Sequence, residues 1–394
     1  MSQSKQDSYQ FPWDAFEIVL SGRSALDVGF AFHSATPEEA RAFFSSYGYD
    51  LTNPIEAAEA QGHFQEALNF IRKFFLKPEN PEGLALEIPR RIQEVKLPEE
   101  LLLIASSSSE KVILKLWVCA ILKVMHTLAH MDQDARVSIF GQIQTQLLDP
   151  YYRLIERDEL GHMVFAKTVS LVAFESKPKK SRESLLIKLL HKPENVAEDV
   201  FDRVGIRFVT GTKLDALRLV KCLIDMRVII PPNLKPSRSR NSLVDITYLR
   251  KALSDVDLNS PKTEALLNEL LDKHRGINES VNQHTQETYR SIQFTCRQLI
   301  KLTNPLYKDL RNFKLLAKNI QGLPAEVTMA VDKIDLSFIA RESRFFYPYE
   351  VQVVDRLSHE ENEKGRSAHS EYKKAQLQTA LKRVMGPLAR AHSD

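Results

Sequence analysis

Two acidic residues stand beside short β-strand patterns, where carboxylates can hold a divalent cation. Glu350 opens an alternation in which Val351 and Val353 share one strand face while Glu350 and Gln352 share the other. Asp202 stands just before a second strand pattern, residues 205–210. Because Mg²⁺ prefers oxygen ligands, a carboxylate at a strand end is a place where metal-assisted chemistry can occur. Taken singly, each carboxylate is more typical of a cap or of the solvated face of an edge strand.

A basic segment precedes Asp202 in the chain. Residues 177–192, KPKKSRESLLIKLLHK, hold six Lys or Arg residues against one Glu. On a helix beginning near Ser181, Ser184 and Lys188 lie one turn apart, with Lys180 just before the helix. Several cations on one short segment can bind a polyphosphate. The alternative is a basic face that is simply solvated.

His126 and His130 are the metal-ligand candidates of the front half. Their spacing puts both side chains on one helical face, and Asp132 and Asp134 follow closely. The HExxH glutamate is missing between them, and no His-Asp pair is adjacent in sequence. We therefore expect these histidines to pack between helices, and we expect no hydrolase site in this half.

Composition limits the class of protein. The chain has 394 residues, of which 43% are hydrophobic and 27% charged, and its net charge of +3 does not by itself imply nucleic-acid binding. Three widely spaced cysteines predict reduced, buried thiols. With neither a signal-peptide pattern nor a run of about 18 uncharged apolar residues, we expect a cytoplasmic protein without a membrane partner.

The pattern of elements predicts an α+β protein. Residues 1–175 are expected to be helical, with helices after Thr36 and over 54–76 and further helix over 134–174. Residues 176–394 are expected to be α/β, with a strand at 205–210, an amphipathic helix burying Leu214, Leu217, Val220 and Ile224, and a third strand after Tyr289.

The order of these motifs resembles the synthetase domain of the RelA/SpoT family, which are ATP-dependent pyrophosphokinases. The resemblance covers about residues 176–374 and is strongest in FDRVGIRFV (201–209), EVQV (350–353) and GRSAHSEYK (365–373). It implies a nucleotidyltransferase-like mixed β-sheet flanked by helices. The chain is longer than such a domain needs, which predicts insertions at about 228–285 and 298–345.

The resemblance also implies residue roles. Asp202 and Glu350 resemble the catalytic acidic pair that holds Mg²⁺. The residues similar to the family's ATP and phosphate side are Lys180, Ser184, Lys188 and Arg207. Those similar to its acceptor side are Tyr289, Gln352, His369, Tyr372 and Lys373.

The chain departs from the family pattern at several positions. Pro178 stands at the place of an ATP-side arginine, and Thr288 replaces the glycine before the tyrosine. Gln293 replaces a histidine, and Val354 replaces the arginine after the EVQV strand. Most of these changes fall on the acceptor side.

Three functions remain open from the sequence. The leading one is Mg²⁺-dependent transfer of pyrophosphate from ATP to the 3′-hydroxyl of a guanine nucleotide, which gives a (p)ppGpp-type alarmone. The second is the same transfer to a tRNA 3′ end or an adenine nucleotide. The third is a non-catalytic nucleotide-binding regulator whose helical front half binds an unknown protein partner.

Overall fold

In the computed structural model, the described residues are 16, 19–21, 24, 34, 36–134, 136–177, 181–192, 204–254, 260, 262–273, 289–364 and 366–392. The helices are α1 (Pro37–Ser46), α2 (Pro54–Phe75), α3 (Arg90–Gln93), α4 (Glu99–Ser106), α5 (Val112–Asp132), α6 (Phe140–Tyr152), α7 (Arg182–His191), α8 (Lys213–Asp225), α9 (Ile246–Ser254), α10 (Thr263–Lys273), α11 (Pro305–Asn319), α12 (Ala325–Lys333), α13 (Arg356–Lys364) and α14 (Arg366–Ala391). The strands are β1 (Ile155–Arg157), β2 (Met163–Phe165), β3 (Val169–Lys177), β4 (Gly205–Thr210), β5 (Arg240–Asn241), β6 (Ile292–Thr303) and β7 (Glu342–Asp355).

The strands form one mixed sheet, which confirms the predicted α+β class. Its order is β1-β2-β3-β4-β7-β6-β5. Strands β4 and β7 are parallel, while the other neighbouring pairs are antiparallel. Parallel neighbours need a long crossover connection, and the chain between β4 and β7 supplies it.

Two compact units divide the chain in an interleaved way. The helical unit consists of Met1–Val137, Lys180–Val200 and Arg366–Asp394. The sheet unit consists of Ser138–Lys179 and Phe201–Gly365. This division differs from the predicted one at residue 175, because α7 and α14 join the helical unit and β1–β3 join the sheet.

The helical unit is built on four mutually packed helices. Its largest apolar core joins buried side chains of α2, α5, α7 and α14, with Phe64, Trp117, Leu189 and Met385 among them. The first helices begin where the sequence predicted. For example, the Thr36 hydroxyl accepts a hydrogen bond from the Glu39 amide at 3.2 Å, as a helix N-cap does.

Helix α5 is the one described helix that is long and apolar enough to cross a membrane. Its Trp117, Ile121, Val124 and Leu128 side chains are buried in the protein core. Burial of this kind accounts for its hydropathy as that of a core helix.

Helix was predicted over 134–174, and the structure corrects this for its second half. Residues after α6 form the meander β1–β2–β3. The turn between β2 and β3 uses Ala166 and Lys167 with φ of 49° and 60°. Such left-handed turns usually carry Gly or Asn, so an Ala-Lys turn gives little signal in the sequence.

Strand β4 and the strand after Tyr289 are confirmed, and β7 proves much longer than the predicted pattern. The inward face of α8 is partly corrected: Ala216, Leu219 and Leu223 are buried, whereas Ile224 is exposed. The buried face of α8 is therefore rotated about the helix axis relative to the predicted face.

The two predicted insertions hold distinct structures. The first carries β5, α9 and α10. The second consists of the outer half of the β6–β7 hairpin with α11 and α12. Helix α11 has no buried residue and exposes Phe313 and Leu316. Their status as insertions stays a prediction.

His126 and His130 pack between helices, as expected. Their ring centroids lie 4.5 Å apart, and the His126 Nδ1 atom contacts the Tyr47 hydroxyl. Asp132 instead binds His63 and Arg182. Among the described residues no group of three or more His, Cys, Asp and Glu side chains could hold a metal ion.

We predict that acid destabilises the helical unit through His126. Burial, followed by the charge of His130, lowers the pKa of His126 to about 4. Because an unfolded histidine titrates near 6.5, the stability is present above that pH and is lost as the pH falls toward 4. From pH 7.5 to 5 this one group should cost about 2 kcal/mol of unfolding free energy.

His126→Asn should reduce the pH dependence of urea unfolding by that amount. Thr145→Ala, which changes an exposed side chain of α6 that does not titrate, is the control and should leave the pH dependence as in the wild type. An unchanged slope in His126→Asn would contradict the assignment.

Candidate active site

A row of polar residues crosses five strands of the sheet at one register. Glu175 of β3 pairs with Arg207 of β4, and Arg207 pairs with Gln352 of β7. Gln352 pairs with Gln293 of β6, which pairs with Arg240 of β5. Directly paired residues point to the same side of a sheet, so these five side chains share one face. We call them the polar row.

The opposite face of the same strands is apolar. Ile206 and Phe208 of β4 and Val351 and Val353 of β7 belong to the core of the sheet unit. The alternation predicted for residues 350–353 is thus present in the structure. It fixes the register, because a slip by one residue would bury the polar row and expose the valines.

Direct hydrogen bonds connect the centre of the polar row to Tyr289. Arg207 Nε donates to Gln352 Oε1 at 3.0 Å, and Gln352 Nε2 donates to the Tyr289 hydroxyl at 2.7 Å. Gln352 is only 3% exposed. Both ends of its amide are therefore satisfied by residues that the sequence had marked as parts of one site.

Two carboxylates flank the Arg207 guanidinium. Glu175 and Glu363 each place an oxygen 3.5 Å from Arg207 Nη1. Charge-assisted bonds are usually nearer 2.8 Å, so these contacts are long. A phosphate oxygen could replace either one without breaking the bond from Arg207 to Gln352.

Glu350 lies one step along β7 on the same face as Gln352. It pairs with Gly205 of β4 and with Thr295 of β6, and its backbone amide donates to the Val204 carbonyl at 3.0 Å. The side chain is half-buried. Its partner on β4, Gly205, has no side chain.

The pKa of Tyr289 is shifted by burial and by the charged residues around it. Burial raises its pKa, Arg207 and the hydrogen bond from Gln352 lower it, and Glu350 and Glu363 raise it, with a net upward shift. The phenol is therefore neutral at physiological pH. Its hydroxyl accepts from Gln352 and keeps a proton that it can donate.

Backbone contacts hold the segment around Tyr289. The Ser242 hydroxyl donates to the Tyr289 carbonyl at 2.9 Å. Asn362 of α13 bonds both the amide and the carbonyl of Arg290, at 3.1 and 2.9 Å. These contacts tie the tyrosine to α13, the helix that also carries Glu363.

The remaining predicted residues lie elsewhere or outside the described residues. Ser184 is exposed in the first turn of α7, Lys188 is half-buried on α7, and Lys373 is exposed on α14, all in the helical unit. His369 and Tyr372 also lie on α14, but their side chains are outside the described part of the chain. Asp202 and Lys180 lie outside it altogether.

Sequence reasoning missed Glu175, Glu363 and Asn362. Glu175 was hidden because most of its strand, β3, lies within the segment predicted as helix. Glu363 and Asn362 stand in a run of charged and polar residues, HEENEK, that is typical of a solvated helix. Only the contact with Arg207 and Arg290 distinguishes them.

Val354 stands where the family resemblance would place an arginine. It is 1% exposed and pairs with Val209, so an arginine there would be buried against an apolar neighbour. Arg356, the next cation in the chain, pairs with Glu360 at 3.1 Å on α13. Within the polar row the cations are therefore Arg207 and, two strands away on β5, Arg240.

The carboxylate oxygens on this face suit a hard cation such as Mg²⁺, but they do not define where it would bind. Glu350 and Glu363 supply carboxylate oxygens, which Mg²⁺ prefers. The second carboxylate implied by the resemblance, Asp202, stands two residues before Val204 in the sequence and outside the described residues. The magnesium site stays a prediction.

Several solved structures are similar to this chain, two small alarmone synthetases among them. The chain resembles the small alarmone synthetase 2 of Bacillus subtilis at 14% identity and a TM-score of 0.26, over 68% of this chain and 90% of that one. It resembles the small alarmone synthetase 1 of Bacillus subtilis at 13% identity and the same TM-score, over 68% and 92%. No protein-family model and no curated protein sequence matches. At this level of likeness, the case for a function rests on the residues of the site.

We predict that Gln352 is required for the stability of the site. Gln352→Leu keeps the volume but leaves Arg207 Nε and the Tyr289 hydroxyl without their partner, which should lower the unfolding free energy by about 1–3 kcal/mol. Urea denaturation followed by circular dichroism measures the change. Gln293→Leu, a half-buried neighbour in the same row, is the control and should cost clearly less. Equal losses in both variants would contradict the bonded role of Gln352.

Proposed function

We propose that this protein is an ATP-dependent pyrophosphokinase that transfers pyrophosphate to the 3′-hydroxyl of a guanine nucleotide. The acceptor oxygen would attack the β-phosphorus of ATP, the bond between that phosphorus and the α–β bridging oxygen would break, and AMP would leave. The observation that supports this best is the convergence of Arg207, Tyr289, Glu350 and Gln352 on one face of the sheet. The motif resemblance implies a role for each of these four residues.

Glu350 is proposed as the group that orients the acceptor hydroxyl and takes its proton. Glu350 is half-buried on β7. Its partner on the parallel strand β4 is Gly205, which has no side chain. A carboxylate within hydrogen-bond reach of a hydroxyl is the usual proton acceptor in phosphoryl transfer.

Arg207 is proposed to neutralise charge on the transferred phosphates. Its Nε atom is held by Gln352, while Nη1 makes two long contacts within the described part of the chain, with Glu175 and Glu363. The guanidinium is therefore oriented on one side and can bind a phosphate on the other.

Mg²⁺ bound with ATP would gather polyphosphate oxygens and offset their charge. Glu350 and, by the resemblance, Asp202 would hold it. Lys180, Ser184 and Lys188 are proposed on the ATP side, and His369, Tyr372 and Lys373 on the acceptor side, on the same ground. Tyr289 would place its ring against the acceptor base.

A second acceptor class is supported by one position. Gln293 stands in the polar row between Gln352 and Arg240, where the family pattern has a histidine. A changed acceptor-side residue within the row favours the alternative of a tRNA 3′ end or an adenine nucleotide. The chemistry proposed for Glu350 and Arg207 is the same in both cases.

Glu350→Gln should lower AMP release by about a hundredfold or more, because the amide cannot accept the hydroxyl proton. The measurement is separation of AMP from ATP after incubation with Mg²⁺ and GDP, GTP, an adenine nucleotide or tRNA. Glu342→Gln, at the far exposed end of the same strand, is the matched control and should keep wild-type turnover.

The acceptor that stimulates AMP release identifies the substrate class. Full activity in Glu350→Gln would remove this glutamate from the mechanism. Saturable nucleotide binding by the wild type with no turnover on any acceptor would overturn the enzyme proposal in favour of a nucleotide-binding regulator.

A further inference from the structure

Helix α7, the proposed phosphate-side helix, is part of the helical core. Leu186, Leu189 and Leu190 are buried there, at 1%, 0% and 0% exposure, among side chains of α5 and α14. Ser184 and Lys188 lie outside this buried side, exposed and half-buried respectively. Whatever fixes the helix in the core thus also fixes the position of these two residues.

Arg182, the first residue of α7, binds two other helices at once. Its Nε and Nη2 atoms contact the two oxygens of Glu66 on α2, at 2.5 and 2.9 Å. Its Nη1 and Nη2 atoms contact the two oxygens of Asp132 on α5, the latter at 2.6 Å. Planar, two-pronged contacts with two carboxylates use the shape of the guanidinium, which a lysine cannot reproduce.

Asp132 also contacts His63, which in turn contacts Tyr49. His63 Nε2 lies 2.8 Å from Asp132 Oδ2, and the Tyr49 hydroxyl lies 3.2 Å from His63 Nδ1. His63 is 5% exposed. Burial alone would raise the pKa of Asp132, but the bonds from His63 and Arg182 hold it well below its ordinary value. The carboxylate is therefore ionised and fixed on the side that faces Arg182.

The other end of α7 has an anchor as well. Arg383 of α14 donates from Nη1 to the Leu190 carbonyl at 3.1 Å and also to the Lys192 carbonyl. A single exposed ion pair, Lys73 to Glu183 at 2.7 Å, lies beside Arg182 in the first turn. Such a pair contributes little on its own, whereas Arg182 connects three helices.

We propose that Arg182 is a positioning residue for ATP binding, because it fixes the first turn of α7 against α2 and α5 and so sets the place of Ser184 and Lys188. This inference rests on the proposed function, which gives those two residues to the ATP phosphates. It assigns to the helical front half a direct part in nucleotide affinity.

Arg182→Met removes the charge and keeps the aliphatic stem. It should raise KM for ATP by about tenfold while kcat stays within about twofold, since Arg182 acts on binding and not on the reacting atoms. Arg182→Lys should restore only part of the affinity. Glu183→Gln, which breaks the neighbouring exposed ion pair, is the matched control and should leave KM for ATP unchanged.

The second variant is Asp132→Asn, which changes the carboxylate that binds Arg182 and leaves the sequence of α7 unchanged. It should raise KM for ATP in the same direction, and combining it with Arg182→Met should add less than the product of the two single effects. Thermal unfolding of each variant checks that the chain is folded at the assay temperature.

Two further measurements separate this inference from the proposed function. Hydrogen exchange on the full chain should rise in the α7 amides of Arg182→Met and not in Glu183→Gln, and ATP affinity should be measured by calorimetry. If the wild type binds ATP without turnover, the proposed reaction fails while weaker ATP binding by Arg182→Met still supports the positioning role. Unchanged KM and unchanged ATP affinity in folded Arg182→Met would overturn the positioning role alone.

Discussion

The parallel pairing of β4 with β7 is the constraint on which the candidate site depends. Six residue pairs, from Gly205 with Glu350 to Thr210 with Asp355, set this register. It brings Arg207 beside Gln352 and leaves Gly205 beside Glu350. The other neighbouring pairs of named strands are antiparallel, whereas this parallel pair joins two segments through a long crossover connection.

The apolar face of the same two strands stabilises the register that the polar face uses. Ile206, Phe208, Val351 and Val353 are packed in the core, so the polar residues on the opposite face of these strands cannot slip without exposing these side chains. The cost of burying Gln352 is offset by bonds at both ends of its amide. Packing on one side of the sheet and hydrogen bonding on the other thus reinforce the same arrangement.

Sequence reasoning succeeded where a short local pattern decides the structure. The strands around Arg207 and Val351 follow from period-two alternation, and the helix after Thr36 follows from its cap. It failed where structure depends on partners distant in the chain. The meander β1–β3 is held by cross-strand pairing and by an Ala-Lys turn. Glu175 can be assigned to the site only because it contacts Arg207. The assignment of α7 to the helical unit likewise depends on Glu66 and Asp132, which no periodicity within α7 reveals.

The interleaved course of the chain has a consequence for biosynthesis. The core of the helical unit includes side chains from Phe64 to Leu388, so α2 and α5 cannot be fully covered until α14 has left the ribosome. The sheet unit ends at Gly365 and can be complete before then. Growing chains usually fold from the N-terminus onward, whereas here helices α2 and α5 finish packing only after the sheet unit between them and α14 has been made. The part of their apolar surface that α14 covers stays exposed until then.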